Sequence, residues 1–263
     1  NNDGRIFGGW ISGINEGVDG IQYEDNATGS VNNNSGGLIY GDRHGINAKV
    51  GTNVVVNNNT QNGNFTYDFN TQIVGRNGSG VGSDGDATVI NAGYILGSYA
   101  GSSAPDVNGS TPGQPAGGGP DGIPDGDGDG IDIDGLATIT NYGRIEGGGA
   151  GGSGSDGFFN TAEGIAAGGG NITNALNGII IGAGLGILID DSSRGNAPHA
   201  TFLSNAGTIE GTAGTGIRIV SNQSDFIINS GTIKGGNGKA IEFGDGAGII
   251  VLGKDSNIQG SVD

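Results

Sequence analysis

The sequence contains neither Cys nor Met among its 263 residues. Without Cys the chain has no disulfide framework and no thiolate site for a metal or a redox reaction. Basic residues are scarce as well, because 10 Lys and Arg stand against 27 Asp and Glu, which gives a formal net charge of −17. Nucleic-acid binding relies on a basic face. We therefore expect no nucleic-acid partner.

Long apolar runs and regularly spaced prolines are also missing. No run approaches the ~20 apolar residues of a membrane-spanning helix, so no transmembrane segment is predicted. Only 6 Pro are present and Gly does not recur at every third position, which excludes collagen. What the chain has in excess is 61 Gly and 29 Asn. Such a composition indicates either disorder or a repeat architecture, and periodicity separates the two.

The excess Gly and Asn fall into a repeat. The pattern Asn-x-Gly-x-Ile-x-Gly occurs five times, beginning at Asn2, Asn91, Asn141, Asn205 and Asn229. An aliphatic residue two positions before the Asn reveals degenerate copies, and the shortest step, from Asn205 to Asn229, is 24 residues. We predict that the repeated Asn side chains stack into a structural ladder formed by Asn33, Asn57, Asn91, Asn141, Asn174, Asn205 and Asn229.

The parity of the repeat predicts strands. Counting by twos from Asn205 places Gly207 and Ile209 on one face and Thr208 on the other, which is the alternation of a half-buried strand. A second strand follows at 217–219, and the aliphatic-x-Asn run forms a third. The sequence therefore predicts an all-β parallel β-helix, with three short strands per coil and about eight to nine coils. We assign 1–263 to this single domain, a rod of roughly 40 Å.

Two insertions interrupt the coils. The longer covers 98–129 and is rich in Gly, Pro and Asp, and the shorter covers 58–70 and contains Phe65, Tyr67 and Phe69. Loops displayed by a rigid solenoid are the usual place for a binding surface.

The end of the longer insertion is a candidate calcium site. Asp125, Asp127 and Asp129 alternate with Gly, as in the first half of a calcium-binding loop, and Asp132 or Asp134 could close the site. An EF-hand would need Glu where Leu136 stands, so the match is to the wider Asp-x-Asp-x-Asp-Gly class. The alternative is a solvated acidic loop without a cation.

An enzymatic reading rests on the adjacent carboxylates Asp190 and Asp191. Paired acids can act as general acid and base on a sugar, which keeps a polysaccharide lyase or hydrolase of the β-helix class as the alternative function. The Asn-Thr-Asp, Gly-His-Gly and Arg-Ile-Lys segments of polygalacturonases are not found in the required order. We therefore predict that the chain is not an enzyme.

The last coils resemble a known family. Asn205-Ala-Gly-Thr-Ile-Glu-Gly, Asn229-Ser-Gly-Thr-Ile-Lys-Gly and the tail from Val251 to Asp263 resemble passenger-domain repeats of bacterial autotransporters of the type V secretion class. The likeness is strongest over 130–263. It implies a β-helical passenger carried to the cell surface by a C-terminal outer-membrane barrel, and this chain, which contains no barrel, would be a passenger fragment or a released passenger.

The expected function follows from this resemblance and from the repeat. We expect a surface-exposed or secreted stalk that acts in adhesion, aggregation or surface-fibre assembly, with calcium as a candidate stabiliser. Its partner would be a ligand on a host or neighbouring cell, or copies of the chain stacked end to end. The expected location is extracellular, on the bacterial cell surface.

Overall fold

The computed structural model describes residues 1–9, 18–60, 65–76, 78–98, 128–148, 162–192 and 195–263. Within these ranges 24 short strands pair in parallel and wind into coils, each coil adding one strand to each of three stacks. The predicted parallel β-helix with three strands per coil is thereby confirmed. The described residues include no helix that could cross a membrane.

Up to β22, each stack takes every third strand of the chain. The first stack consists of β1 (Arg5–Gly8), β4 (Leu38–Gly41), β7 (Gln72–Gly75), β10 (Tyr94–Ser98), β13 (Arg144–Gly148), β16 (Ile179–Gly182), β19 (Thr208–Gly211) and β22 (Thr232–Phe243). The second consists of β2 (Ile21–Tyr23), β5 (Ile46–Ala48), β8 (Val81–Ser83), β11 (Ile131–Ile133), β14 (Ile165–Ala167), β17 (Ile187–Ile189) and β20 (Ile217–Ile219). The third consists of β3 (Thr28–Asn33), β6 (Asn53–Asn58), β9 (Asp86–Asn91), β12 (Ala137–Asn141), β15 (Gly170–Asn174), β18 (Thr201–Asn205), β21 (Ser224–Asn229) and β23 (Ala247–Leu252).

The strand β22 belongs to two stacks at once. It has 12 residues, and it pairs with β19 along its first part and with β20 along its last part. The first two stacks consequently form one 16-stranded sheet, and the third stack forms an 8-stranded sheet. The strand β24 (Asn257–Val262) pairs with β22 and begins a ninth coil after eight complete ones, as the repeat count predicts.

The core is a column of aligned aliphatic side chains. One position of the first stack is isoleucine in every coil, in continuous register, at Ile6, Ile39, Ile73, Ile95, Ile145, Ile180, Ile209, Ile233 and Ile258. Those from Ile39 to Ile233 are fully buried. Because each coil lays the same side chain on the one before it, a thin core forms with few apolar residues per coil.

Close approach of the backbone explains the last Gly of the motif. At Gly97 an added Cβ would collide with the carbonyl of Asp129, and at Gly147 it would collide with the carbonyl of Glu163. Both glycines stand where the chain leaves the first stack for the second. The Gly at this position is therefore needed for space at the corner.

Candidate functional site

A ladder of buried amides runs along the rod at the end of the third stack. Each Asn Nδ2 donates to Oδ1 of the next Asn, over 2.7–2.9 Å, through Asn2, Asn33, Asn58, Asn91, Asn141, Asn174, Asn205 and Asn229. After Asn229 the register brings Leu252 to the ladder position, and the Asn229 amide donates instead to Ser256 Oγ at 2.6 Å. All the donors point the same way along the axis.

Asn141 illustrates how completely each rung is satisfied. Its Nδ2 donates to Asn174 Oδ1 at 2.9 Å and to the carbonyl of Ile179 at 3.1 Å. Its Oδ1 accepts from Asn91 Nδ2 at 2.8 Å and from the N–H of Gly143 at 3.1 Å. A fully buried amide with all these partners stabilises the corner of the coil, because its donors and its acceptor are bonded to the backbone and to the neighbouring Asn side chains.

One predicted rung is wrong. The ladder position in β6 is occupied by Asn58, whereas Asn57 lies one residue earlier and its side chain points outward. The sequence 54–59 reads Val-Val-Val-Asn-Asn-Asn, so the aliphatic-x-Asn spacing fits two neighbouring Asn equally well. The register Asn58↔Asn91 settles the choice. The other six predicted rungs lie in the ladder.

The displaced Asn57 belongs to a second, outward amide row. Asn57 Nδ2 donates to Asn32 Oδ1 at 2.9 Å, and Asn32 Nδ2 donates to Asn1 Oδ1 at 3.0 Å, in the direction opposite to that of the buried ladder. This row lines a groove of about 480 Å³. We call it the amide groove; it is lined by Asn1, Asn32, Asn33, Asn34, Asn57, Thr60, Phe65 and Ile90.

Thr60 and Phe65, from the described part of the shorter insertion, line one side of the amide groove. Phe65 stacks on Tyr142 with a centroid distance of 4.5 Å, and Phe69 stacks on Tyr94 at 5.1 Å. The backbone N–H of Asp68 donates to the carbonyl of Ala92 at 2.9 Å. These contacts fix the described part of the insertion, 65–70, across the corners of later coils, and they leave Phe65 43% exposed.

The two central outward positions of the third stack carry no charge in any coil. They are occupied by Ser30, Val55, Thr88, Thr138, Asn171, Phe202, Phe226 and Ile249 in one row, and Asn32, Asn57, Ile90, Thr140, Thr173, Ser204, Ile228 and Val251 in the other. None of these side chains is ionisable, in a chain with a net charge of −17. We call this surface the neutral face; the amide groove lies at its N-terminal end.

The structure describes only part of the predicted calcium site. Asp125 and Asp127 lie outside the described residues. Asp129 is buried, and its Oδ1 accepts a 2.6 Å hydrogen bond from the N–H of Glu163, while Asp132 is half-buried on β11. In the described ranges no group of three or more His, Asp or Glu side chains is arranged to hold a metal ion. The calcium site stays a prediction that depends on Asp125 and Asp127.

The two carboxylates of the enzymatic alternative lie in different environments. Asp190 is buried and its Oδ1 accepts a hydrogen bond from the N–H of Ser192 at 2.9 Å. Asp191 is exposed and its Oδ1 accepts from the N–H of Gly195 at 2.5 Å. Each carboxylate thus accepts a backbone hydrogen bond within the loop that follows β17.

Carboxylates collect at the corner between the second and third stacks. Burial and the negative charges of Asp84 and Asp190 together raise the pKa of Asp134 to about 6, although a hydrogen bond from Ser192 opposes the shift. Burial also raises the pKa of Asp84. The corner therefore holds acids that resist ionisation.

His44 is a structural side chain within the corner between the first two stacks. It is buried, and its Nδ1 accepts a 2.9 Å hydrogen bond from the N–H of Ser79. Burial lowers the pKa of His44 to about 4, although the charge of Asp19 opposes this shift. A neutral imidazole bonded to the backbone is a packing element of the coil.

Known proteins give no further guide. Comparison with protein-family models, with curated proteins and with solved structures found no match for this chain.

Sequence reasoning missed the outward row Asn1, Asn32 and Asn57 and its juxtaposition with Phe65. The doublets Asn32–Asn33 and Asn57–Asn58 were a usable signal, because adjacent residues of a strand face opposite sides and one Asn of each pair must point outward. The sequence gives no signal that Phe65 lies beside these amides, because its position depends on contacts between the insertion and coils that come later in the chain.

Proposed function

We propose that the chain is a surface-exposed or secreted β-helical stalk of the autotransporter-passenger kind, acting in bacterial adhesion, aggregation or surface-fibre assembly. The observation that carries the proposal is the continuous register of the three stacks, which repeats every outward position along the rod. Such a scaffold presents side chains in long regular rows, and this suits weak contacts that add up. Its partner would be a cell-surface ligand or copies of the chain stacked end to end, and calcium at the loop containing Asp125 would stiffen it.

Bead adhesion tests this proposal directly. Beads coated with the purified chain should attach to host or bacterial cells, or clump with one another, more than beads coated with the same chain unfolded by heat. Light scattering over a concentration series would separate self-association from binding to another ligand. Beads that neither attach nor clump, from a chain that stays monomeric, would contradict the proposed function.

The enzymatic alternative has its own assay. The chain would be incubated with polygalacturonate and alginate while new reducing ends and unsaturated products are measured. We expect no turnover from the wild-type chain. Cleavage that disappears in the double variant Asp190→Asn, Asp191→Asn would replace the adhesive proposal with a polysaccharide lyase or hydrolase.

A further inference from the structure

The amide groove has the chemistry of a site for a polyhydroxylated ligand. A primary amide offers two N–H donors and a carbonyl acceptor, so it can bond neighbouring hydroxyls of one sugar at the same time. Asn57 donates one N–H to Asn32, and its Oδ1 accepts no hydrogen bond within the described part of the chain. Phe65 adds the flat apolar surface against which the C–H face of a sugar ring packs.

The charge of the groove decides between classes of sugar. No ionisable side chain is among the described lining residues, and the neutral face continues this uncharged surface along the rod. The chain as a whole carries −17, which repels an anionic ligand at long range. An uncharged glycan is not repelled in this way.

Size and spacing fit the same ligand. A volume of about 480 Å³ lies within the roughly 300–1,000 Å³ of small-molecule sites. The outward amides repeat with the ~4.8 Å spacing of neighbouring strands, which is comparable to the advance per sugar of an extended oligosaccharide. Successive amides could therefore meet successive sugar units.

The groove is also organised before any ligand arrives. Hydrogen bonds between Asn57, Asn32 and Asn1 hold the amides in line, and the stack on Tyr142 holds the ring of Phe65. Little side-chain freedom is left to lose on binding, which favours affinity.

We propose that the amide groove binds a neutral oligosaccharide, with Phe65 packed on a sugar ring and the side chains of Asn32 and Asn57 bonded to its hydroxyls. This inference rests on the proposed adhesive function, to which it adds the class of ligand. Recognition is by hydroxyl pattern and ring face, without ionic contacts.

The test is a titration of the purified chain with cellotetraose, maltotetraose and chitotetraose, and with tetragalacturonate as the acidic comparison. Calorimetry gives the Kd, and NMR follows the side-chain amides of Asn32 and Asn57. We expect saturable binding of at least one neutral tetrasaccharide, with shifts at these two amides, and none of tetragalacturonate. Asn57→Ala and Phe65→Ala should each raise the Kd about 10-fold.

Matched variants separate lost contacts from lost structure. Phe65→Leu keeps an apolar side chain against Tyr142 but removes the ring face, so it should also weaken binding while the melting temperature stays near that of the wild type. Asn171→Ala and Phe202→Ala change the same residue types farther along the neutral face and should leave the Kd unchanged. The inference is overturned if no neutral tetrasaccharide binds, if only tetragalacturonate binds, or if the groove variants bind as well as the controls.

Its failure can be told from failure of the adhesive function. Beads that attach to cells while no neutral tetrasaccharide binds would remove the groove proposal and keep the stalk. Conversely, if the chain binds a tetrasaccharide but its beads do not attach to cells, the groove proposal is kept and the adhesive function is removed.

Discussion

The side-chain amide of Asn141 donates to Oδ1 of Asn174 across 2.9 Å, and the two residues are directly opposite each other in β12 and β15. Backbone pairing and side-chain pairing thus share one register. The same relationship recurs from Asn2 to Asn229, so the ladder couples successive coils until Leu252 takes the place of the Asn.

Asn141→Ala is expected to lower the free energy of unfolding by about 3 kcal/mol or more. The substitution removes the acceptor of the buried N–H groups of Asn91 and Gly143, and each unsatisfied buried donor costs about 1–3 kcal/mol. Chemical denaturation measures the loss. The matched control is Asn171→Ala, an exposed Asn on the neighbouring strand, which should change stability by less than about 0.5 kcal/mol. Equal losses in the two variants would contradict the structural role of the ladder.

Gly97→Ala is expected to cost about 1–3 kcal/mol, because the new methyl group must displace the carbonyl of Asp129. Gly4→Ala is the control, since nothing lies within 4 Å of an added Cβ there. The measurement is the melting temperature of both variants. If the Gly97→Ala chain is as stable as the wild type, the corner accommodates a methyl group without a steric clash.

Asp134→Asn should stabilise the chain in a pH-dependent manner. The folded pKa of about 6 exceeds the unfolded value of about 3.9, so the stability contributed by the protonated carboxyl is complete below about pH 4 and is lost as the pH rises through 6. We expect a gain on the order of 2 kcal/mol at pH 7.5 and little gain at pH 3.5. A gain independent of pH would argue against the buried acid.

His44 should stay neutral when the pH is lowered to 5. Its folded pKa of about 4 lies below the unfolded value of about 6.5, so its contribution to stability is complete above pH 6.5 and disappears as the pH falls through 4. The loss is on the order of 3 kcal/mol and should be absent from a His44→Gln variant. NMR of the imidazole follows the titration; a midpoint near 6.5 would contradict its burial.

Calcium binding by the longer insertion predicts a shift of the melting temperature. At calcium concentrations 100-fold above Kd the gain is about 2.7 kcal/mol, and a chelator should reverse it. The double variant Asp125→Asn, Asp127→Asn should abolish the response without touching Asp129, whose carboxylate bonds to Glu163. If the double variant still responds to calcium, the calcium site does not depend on Asp125 and Asp127.

The sequence predicts the β-helix well because Ile209, Asn205 and their counterparts keep the same parity in copy after copy. It fails at Asn57, where three consecutive Val and three consecutive Asn erase that parity. Only pairing with the next coil, Asn58↔Asn91, restores it.

The amide groove is harder to predict for a different reason. Phe65 stacks on Tyr142, a residue two coils farther along, and nothing local to either residue encodes that contact. The repeat determines the scaffold one coil at a time, whereas the groove arises from an insertion that crosses several coils. The acidic corner around Asp134 likewise needs four coils in register before its charges meet, because Asp84 follows β8 and Asp190 follows β17.

The unbroken isoleucine column has a consequence for how the rod forms and melts. A coil joining a finished stack gains the same contacts wherever it joins, but the first coil has no stack to join. Assembly should therefore resemble the growth of a one-dimensional crystal, with a slow seed followed by rapid extension. Melting should run the same course in reverse, as a boundary that advances from an end toward the middle.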